Sequence, residues 1–210
     1  MQMKSFELGV LQVNCYIIWD IQSKLAAIID PGDDSQLVHQ YVQTNQLQVK
    51  YILLTHAHFD HISGVKAMKQ KYASAQILVS KQDFNTWKQQ PLFAKQFGLD
   101  IMQKFQPSPD DFIEDQQVIP LGHLNIEVIS TPGHTPGSVC FKINSAIISG
   151  DTIFSNSIGR TDFEGGDIKQ MKQSVRKLEK IITDSDVIYP GHGESAKGRK
   201  AIQNAIRMTQ

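Results

Sequence analysis

Between Thr55 and His61 the chain reads THAHFDH, which places three of its seven histidines and one aspartate within six positions. Imidazole nitrogens and carboxylate oxygens at that density are metal donors. Zinc binds both, and the His56/His58 and Asp60/His61 pairs could serve two different ions. Two-metal sites hydrolyse esters, amides and phosphates. Three later segments add one donor each: TPGHTPG carries His134, SGDT carries Asp151 and YPGHG carries His192. The resulting seven donors, His56, His58, Asp60, His61, His134, Asp151 and His192, exceed what one tetrahedral ion needs. They suit two ions that share a carboxylate and a water, and Asp151 is the natural bridge because a carboxylate offers an oxygen to each.

Donors so far apart in sequence must be gathered by the fold. The runs KSFELGV, NCYIIWD and KLAAIID read as three strands closed by the turn Pro31-Gly32-Asp33. A helix follows, with Leu37, Val38, Tyr41 and Val42 on one face. VKYILLT is then a buried strand, HISGVKAMKQKYA a helix and AQILVS a strand. In the second half DFIEDQQVIPL, HLNIEVIST, GSVCFKI and AIISGD read as strands. Ile168, Met171, Val175, Leu178 and Ile182 recur at helical spacing, DVIYP is a further strand, and a last helix runs from about Ala196 to Arg207.

Strands then a helix, twice, predicts an α/β (α+β) fold in which two sheets pack face to face with helices outside, a four-layer αββα sandwich. The chain reads as one domain, 1–210, with similar halves at about 1–80 and 110–210. A partly apolar segment at 84–109 joins them, either as helices packed on the body or as a wall over the site. Each donor segment follows the C-terminal end of a strand, the edge where loops of layered α/β folds converge.

Charge excludes some partners. Lys plus Arg equals Asp plus Glu, 21 against 21, so there is no basic footprint for nucleic acid and no polybasic membrane anchor. The expectation is a cytoplasmic protein with no membrane span, acting on a small molecule; a monomer is compatible with the sequence. Cys15 and Cys140 lie inside apolar strand-like runs and read as buried reduced thiols. His39 and His123 have no second donor nearby and read as structural, His123 as a turn residue.

Taken together in this order over nearly the whole chain, THAHFDH, PGHTPG, SGDT and YPGHG resemble the metallo-β-lactamase superfamily. The resemblance implies the αββα sandwich, with His56, His58 and His134 on one metal, Asp60, His61 and His192 on the other, and Asp151 bridging. The ions implied are two divalent metals, zinc first, with iron or manganese as alternatives. The run SIGRTDFEGGD, Ser157 to Asp167, resembles glyoxalase II-like (hydroxyacylglutathione hydrolase-like) enzymes, including their short single-domain bacterial type.

That implies hydrolysis of an acyl thioester by a metal-bridging hydroxide, with Asp60 as the catalytic group that holds the nucleophile or accepts its proton. Arg160 and Phe163 are the substrate-binding candidates. Arg160 can attract a substrate carboxylate or pair with Asp162 or Glu164, and Phe163 reads as a loop anchor or a pocket wall. A similar GRTDF run occurs in persulfide dioxygenases, which imply instead one iron on His56, His134 and Asp151. The YPGHGES ending resembles the hydrolases. Full-length glyoxalase II proteins have a C-terminal helical domain that helps hold glutathione; 17 residues follow Gly193 here, which leaves glutathione use open. A metal-binding module without catalysis needs only four donors and no exposed loops.

Overall fold

A computed structural model describes residues 1–96 and 107–209, with the side chain of residue 96 left aside. Strands β1 (Gln2–Leu8), β2 (Val13–Trp19) and β3 (Leu25–Ile29) form an antiparallel meander. Helix α1 (Gln36–Thr44) crosses to β4 (Gln48–Leu53), which lies parallel to β3. The short helices α2 (Phe59–Ile62) and α3 (Val65–Lys71) lead to β5 (Gln76–Ser80), and α4 (Phe84–Gln96) follows a single 3-10 turn. Strand β6 (Asp111–Ile113) completes a six-stranded sheet in the order β1-β2-β3-β4-β5-β6.

The second sheet has the order β12-β11-β10-β9-β8-β7. It consists of β7 (Val118–Leu121), β8 (Leu124–Ser130), β9 (Val139–Ile143), β10 (Ala146–Gly150), β11 (Val187–Pro190) and β12 (Ala196–Lys197). Helix α5 (Ile168–Ile181) makes the crossover from β10 to the parallel strand β11, and α6 (Gly198–Met208) follows β12.

Alternation along the strands explains the layers. Side chains on a strand point to opposite faces in turn. Thus Ile18 of β2 and Ile29 of β3 face the inter-sheet core with Phe141 and Val128, while Ile17 and Ile28 face Val38, Val65 and Met68 of the helices. On the other side, Ile147 and Ile188 pack on Met171, Val175, Leu178 and Ile202 of α5 and α6. Strand β2 is buried at every position, as a strand covered on both faces must be. The architecture is therefore the four-layer αββα sandwich.

Several sequence expectations change. DFIEDQQVIPL is not one strand: β6 ends at Ile113 in the first sheet, the chain turns with Gln116 at φ 64°, and β7 starts the second sheet. The first sheet thus extends beyond residues 1–80. HISGVKAMKQKYA is two helices, and Leu37 and Ile168 point outward at 64% and 50% exposure. A two-residue strand, β12, precedes the last helix. Both cysteines are buried and unpaired, and burial pushes the Cys140 thiol up to about 11. His39 sits between Tyr72 Oη and Asp34. His123 has a partner that its local sequence does not offer, since its backbone N–H and its Nδ1 both meet Asp20 Oδ2. No helix among the described residues is long and apolar enough to cross a membrane.

Candidate metal centre

All seven predicted donors meet at one edge of the sandwich. The loop after β4 supplies His56 and His58, and the first turn of α2 supplies Asp60 and His61. His134 follows β8, Asp151 follows β10 and His192 follows β11. Among the described residues, donor atoms of His56, His58 and His134 lie within 4.8 Å of one another, as do those of Asp60, His61 and His192, and those of His56, His61 and Asp151. Asp151 stands between the sets: Oδ1 lies 3.5 Å from His61 Nε2, while Oδ2 lies 3.6 Å from His134 Nε2 and 3.7 Å from His192 Nε2.

Three of these donors, His56 Nε2, His61 Nε2 and Asp151 Oδ1, are buried with no hydrogen-bond partner. A buried polar atom without a partner is costly, so their convergence needs an electrophile. A divalent cation fits this donor set, and imidazole with carboxylate suits zinc, iron or manganese.

Outer contacts fix which nitrogen faces inward. Asp30 accepts from Thr55 N at 2.8 Å and Thr55 Oγ1 at 2.6 Å, and meets His61 Nδ1 at 3.0 Å. His134 Nδ1 donates to the Arg160 carbonyl at 2.8 Å and His192 Nδ1 to the Leu11 carbonyl at 3.0 Å. These contacts leave Nε2 of His61, His134 and His192 directed inward, whereas His58 points Nδ1 at His134 Nε2, 2.9 Å away.

Two further anchors tie the loops together. Asp83, fully buried, accepts from Ala57 N, Thr135 Oγ1 and Gly137 N at 2.7–2.9 Å, and so joins the His56/His58 loop to the His134 loop. Asn14 donates to the Pro190 and Gly193 carbonyls, and Tyr16 Oη donates to Pro190 as well, which fastens the His192 loop to β2. Gly191 packs so closely that a Cβ there would overlap Asp151 Oδ1. Asp30, Asp83 and Asn14 hold the donor loops in place and were missed by sequence reasoning, which read Pro31-Gly32-Asp33 as a turn and Asp33 or Asp34 as the cap of α1, where the structure has Ser35.

Electrostatics differ across the centre. Burial and then the neighbouring His134 hold the His58 pKa down at about 3, and burial with His61 holds His56 well below the usual range. Burial also opposes charge on His61, but Asp60, Asp151 and Asp30 outweigh it and its pKa stands well above 6.5. His192 is raised too, because Asp60 and Asp151 outweigh its burial. The carboxyl groups of Asp60 and Asp151 lie below their ordinary range, since the histidines overcome their burial.

Above the donors opens a cavity of about 350 Å³ walled by Leu11, Phe59, Phe93, Phe154 and Phe163. A second, of about 200 Å³, shares His58, Phe93 and Phe163 with it and is lined further by Thr86, Gln89, Gln90, Leu92 and Glu164. Arg160 pairs in bidentate fashion with Asp162, both contacts at 2.7 Å, and its guanidinium carbon lies 3.6 Å above the Phe163 ring. Glu164 meets Gln89 instead. Phe163 is a cavity wall. The 84–109 segment serves both readings: α4 buries Trp87 in the core and turns Phe93 to the cavities, while Phe97, Leu99, Met102 and Phe105 fall outside the described residues.

Residues 8–192 match the family model described as Metallo-beta-lactamase superfamily. Hydroxyacylglutathione hydrolase GloC of Haemophilus influenzae is 33% identical over 195 residues, covering 92% of this chain and 91% of its own. Among solved structures, BLEG-1 B3 metallo-beta-lactamase superposes with a TM-score of 0.88 at 29% identity, covering 100% of both chains. TTHA1623 in a di-iron-bound form superposes at 0.86 with 29% identity, covering 96% of this chain and 98% of its own.

Proposed function

The chain belongs to the metallo-β-lactamase superfamily, and from that premise we propose that it is a two-metal thioester hydrolase of glyoxalase II type. The observation that carries the reading is the convergence of seven donors, three of them buried and unpartnered, of which five line a cavity with phenylalanine walls. His56, His58 and His134 would hold one ion, Asp60, His61 and His192 the other, and Asp151 would touch both.

Divalent ions held by these residues, zinc first among them, would supply the Lewis acidity that lowers the pKa of a water and polarises an acyl oxygen. The rest falls to the protein. Phe59, Phe93, Phe154 and Phe163 exclude bulk water from the acyl group. In the reaction, the oxygen of water bonds to the carbonyl carbon and the C–S bond breaks with its electron pair on sulfur. The sulfur takes a proton from solvent, the acid formed releases its own, and the products are a carboxylate and a thiol. Asp60, held ionised by His61 and His192, is the acceptor for the proton that water gives up on attack, and passes it to solvent. The buried, unpaired Cys15 and Cys140 suit a reducing cytoplasm.

The test is metal analysis of protein purified without added metal, paired with a thiol-release assay on a thioester and an oxygen-uptake assay on a persulfide. About two ions per chain with thiol release are expected. About one iron with oxygen uptake would overturn the reading in favour of a persulfide-type oxygenase.

A further inference from the structure

We infer that the thiol half of the substrate is an uncharged, amide-bearing carrier rather than a dicarboxylate such as glutathione, and that it lies in the smaller cavity beside Glu164. The inference rests on the thioester-hydrolase reading and names its substrate class.

The two cavities meet at a wall made by His58, Phe93 and Phe163, and the Phe93 and Phe163 rings pack edge to face at 5.2 Å. A thioester with its carbonyl over the donors therefore sends its two arms in different directions. The larger cavity, with Leu11, Phe59 and Phe154, suits an acyl group. The smaller one is lined by Thr86 and by Gln89, whose amide nitrogen reaches Glu164 at 3.5 Å, neutral side chains that match the amides of a carrier. Gln90 is engaged elsewhere, accepting from Phe59 N at 2.7 Å and donating to the Thr86 carbonyl at 3.1 Å.

Charge decides against a dicarboxylate. The Glu164 carboxylate lines the smaller cavity, and no lysine or arginine among the described residues joins it there. Arg160, the cation of the larger cavity, has both arms of its fork on Asp162. Lys88 on α4 places its ammonium 4.1 Å over Phe84 instead. A carrier carboxylate would meet Glu164 or have to displace Asp162, whereas a neutral amide meets neither obstacle.

The experiment compares kcat/KM for S-lactoyl-N-acetylcysteamine, which is uncharged, with that for S-lactoylglutathione, in wild type and in Glu164→Lys. Wild type is expected to favour the uncharged thioester by about 10-fold. Glu164→Lys should shrink that ratio by roughly 3–10-fold at low salt, mainly through KM of the glutathione thioester, and less at about 0.5 M salt, where surface charge is screened. In parallel, calorimetry with two thioethers that cannot be hydrolysed, N-acetyl-S-hexylcysteamine and S-hexylglutathione, reads the same preference as a ratio of Kd. A wild-type preference for the glutathione compounds, or an unchanged ratio in Glu164→Lys, overturns the inference while leaving the hydrolase reading intact. If neither thioester is cleaved the hydrolase reading falls, and the thioether Kd ratio still decides the carrier.

Discussion

The two donor sets share one loop yet are built on opposite principles. His56, His58 and His134 form an all-imidazole set, each ring at most 7% exposed. Asp60, His61 and His192 form a carboxylate-containing set that reaches the surface at His192, whose side chain is 28% exposed. Burial and mutual repulsion keep His56 and His58 neutral, while carboxylates pull protons onto His61 and His192. Each has its own buried acid behind it, Asp83 for the first and Asp30 chiefly for the second. The contrast teaches that a dry imidazole cage depends on the shared Asp151 for its negative charge, whereas the wetter set carries a carboxylate of its own and must compete with protons.

The largest break in this contrast is expected from Asp151→Ala, because Asp151 belongs to both sides. Metal should be lost from both sets and turnover should fall by about 10³-fold or more, some 4 kcal/mol of barrier. A variant that retains two ions per chain, measured by elemental analysis, would refute the bridging role. Asp60→Asn confines the damage to the second set: turnover should fall about 10²–10³-fold while at least one ion stays bound, and near wild-type hydrolysis would remove Asp60 from the chemistry.

The acids behind the sets allow a paired test. Asp83→Asn and Asp30→Asn should each weaken metal binding about 10–100-fold, the first at the imidazole set and the second at the carboxylate set. Chelator titrations that show the same set weakened in both variants would end the contrast. The effect of pH acts without any substitution. A raised pKa keeps a proton on His61 and His192 where an ordinary imidazole has released it, and a protonated ring nitrogen cannot bind metal. Dialysis at falling pH should therefore empty the carboxylate set first, its apparent affinity dropping about tenfold per unit of pH for each ring that protonates. Release from the imidazole set first would reverse the assignment.

The donors were legible because His and Asp at such density have few other uses, and because each later donor sits in a Gly/Pro turn after an apolar run. The sandwich was legible from strands that are apolar on both faces. Asp30, Asp83 and Asn14 were not, since each acts through partners 25 to 179 positions away and nothing beside it in sequence marks the role. The β6–β7 break was hidden because the turn at Gln116 contains neither Gly nor Pro, and a left-handed glutamine has no sequence signature. Leu37 misled because helical spacing gives a face but not its edge: Val38 and Val42 define the buried stripe, and Leu37 lies off it.

The hold of Asn14 on the His192 loop also sets an order of events during synthesis. These contacts span 176 and 179 residues, so the carboxylate set cannot close until strand β11 and the loop beyond it have emerged from the ribosome. His56, His58 and His134 are all made earlier, and Asp83 can already join their loops. Closure of the carboxylate set therefore requires the chain to be made through Gly193, whereas the three imidazole donors all lie at or before His134.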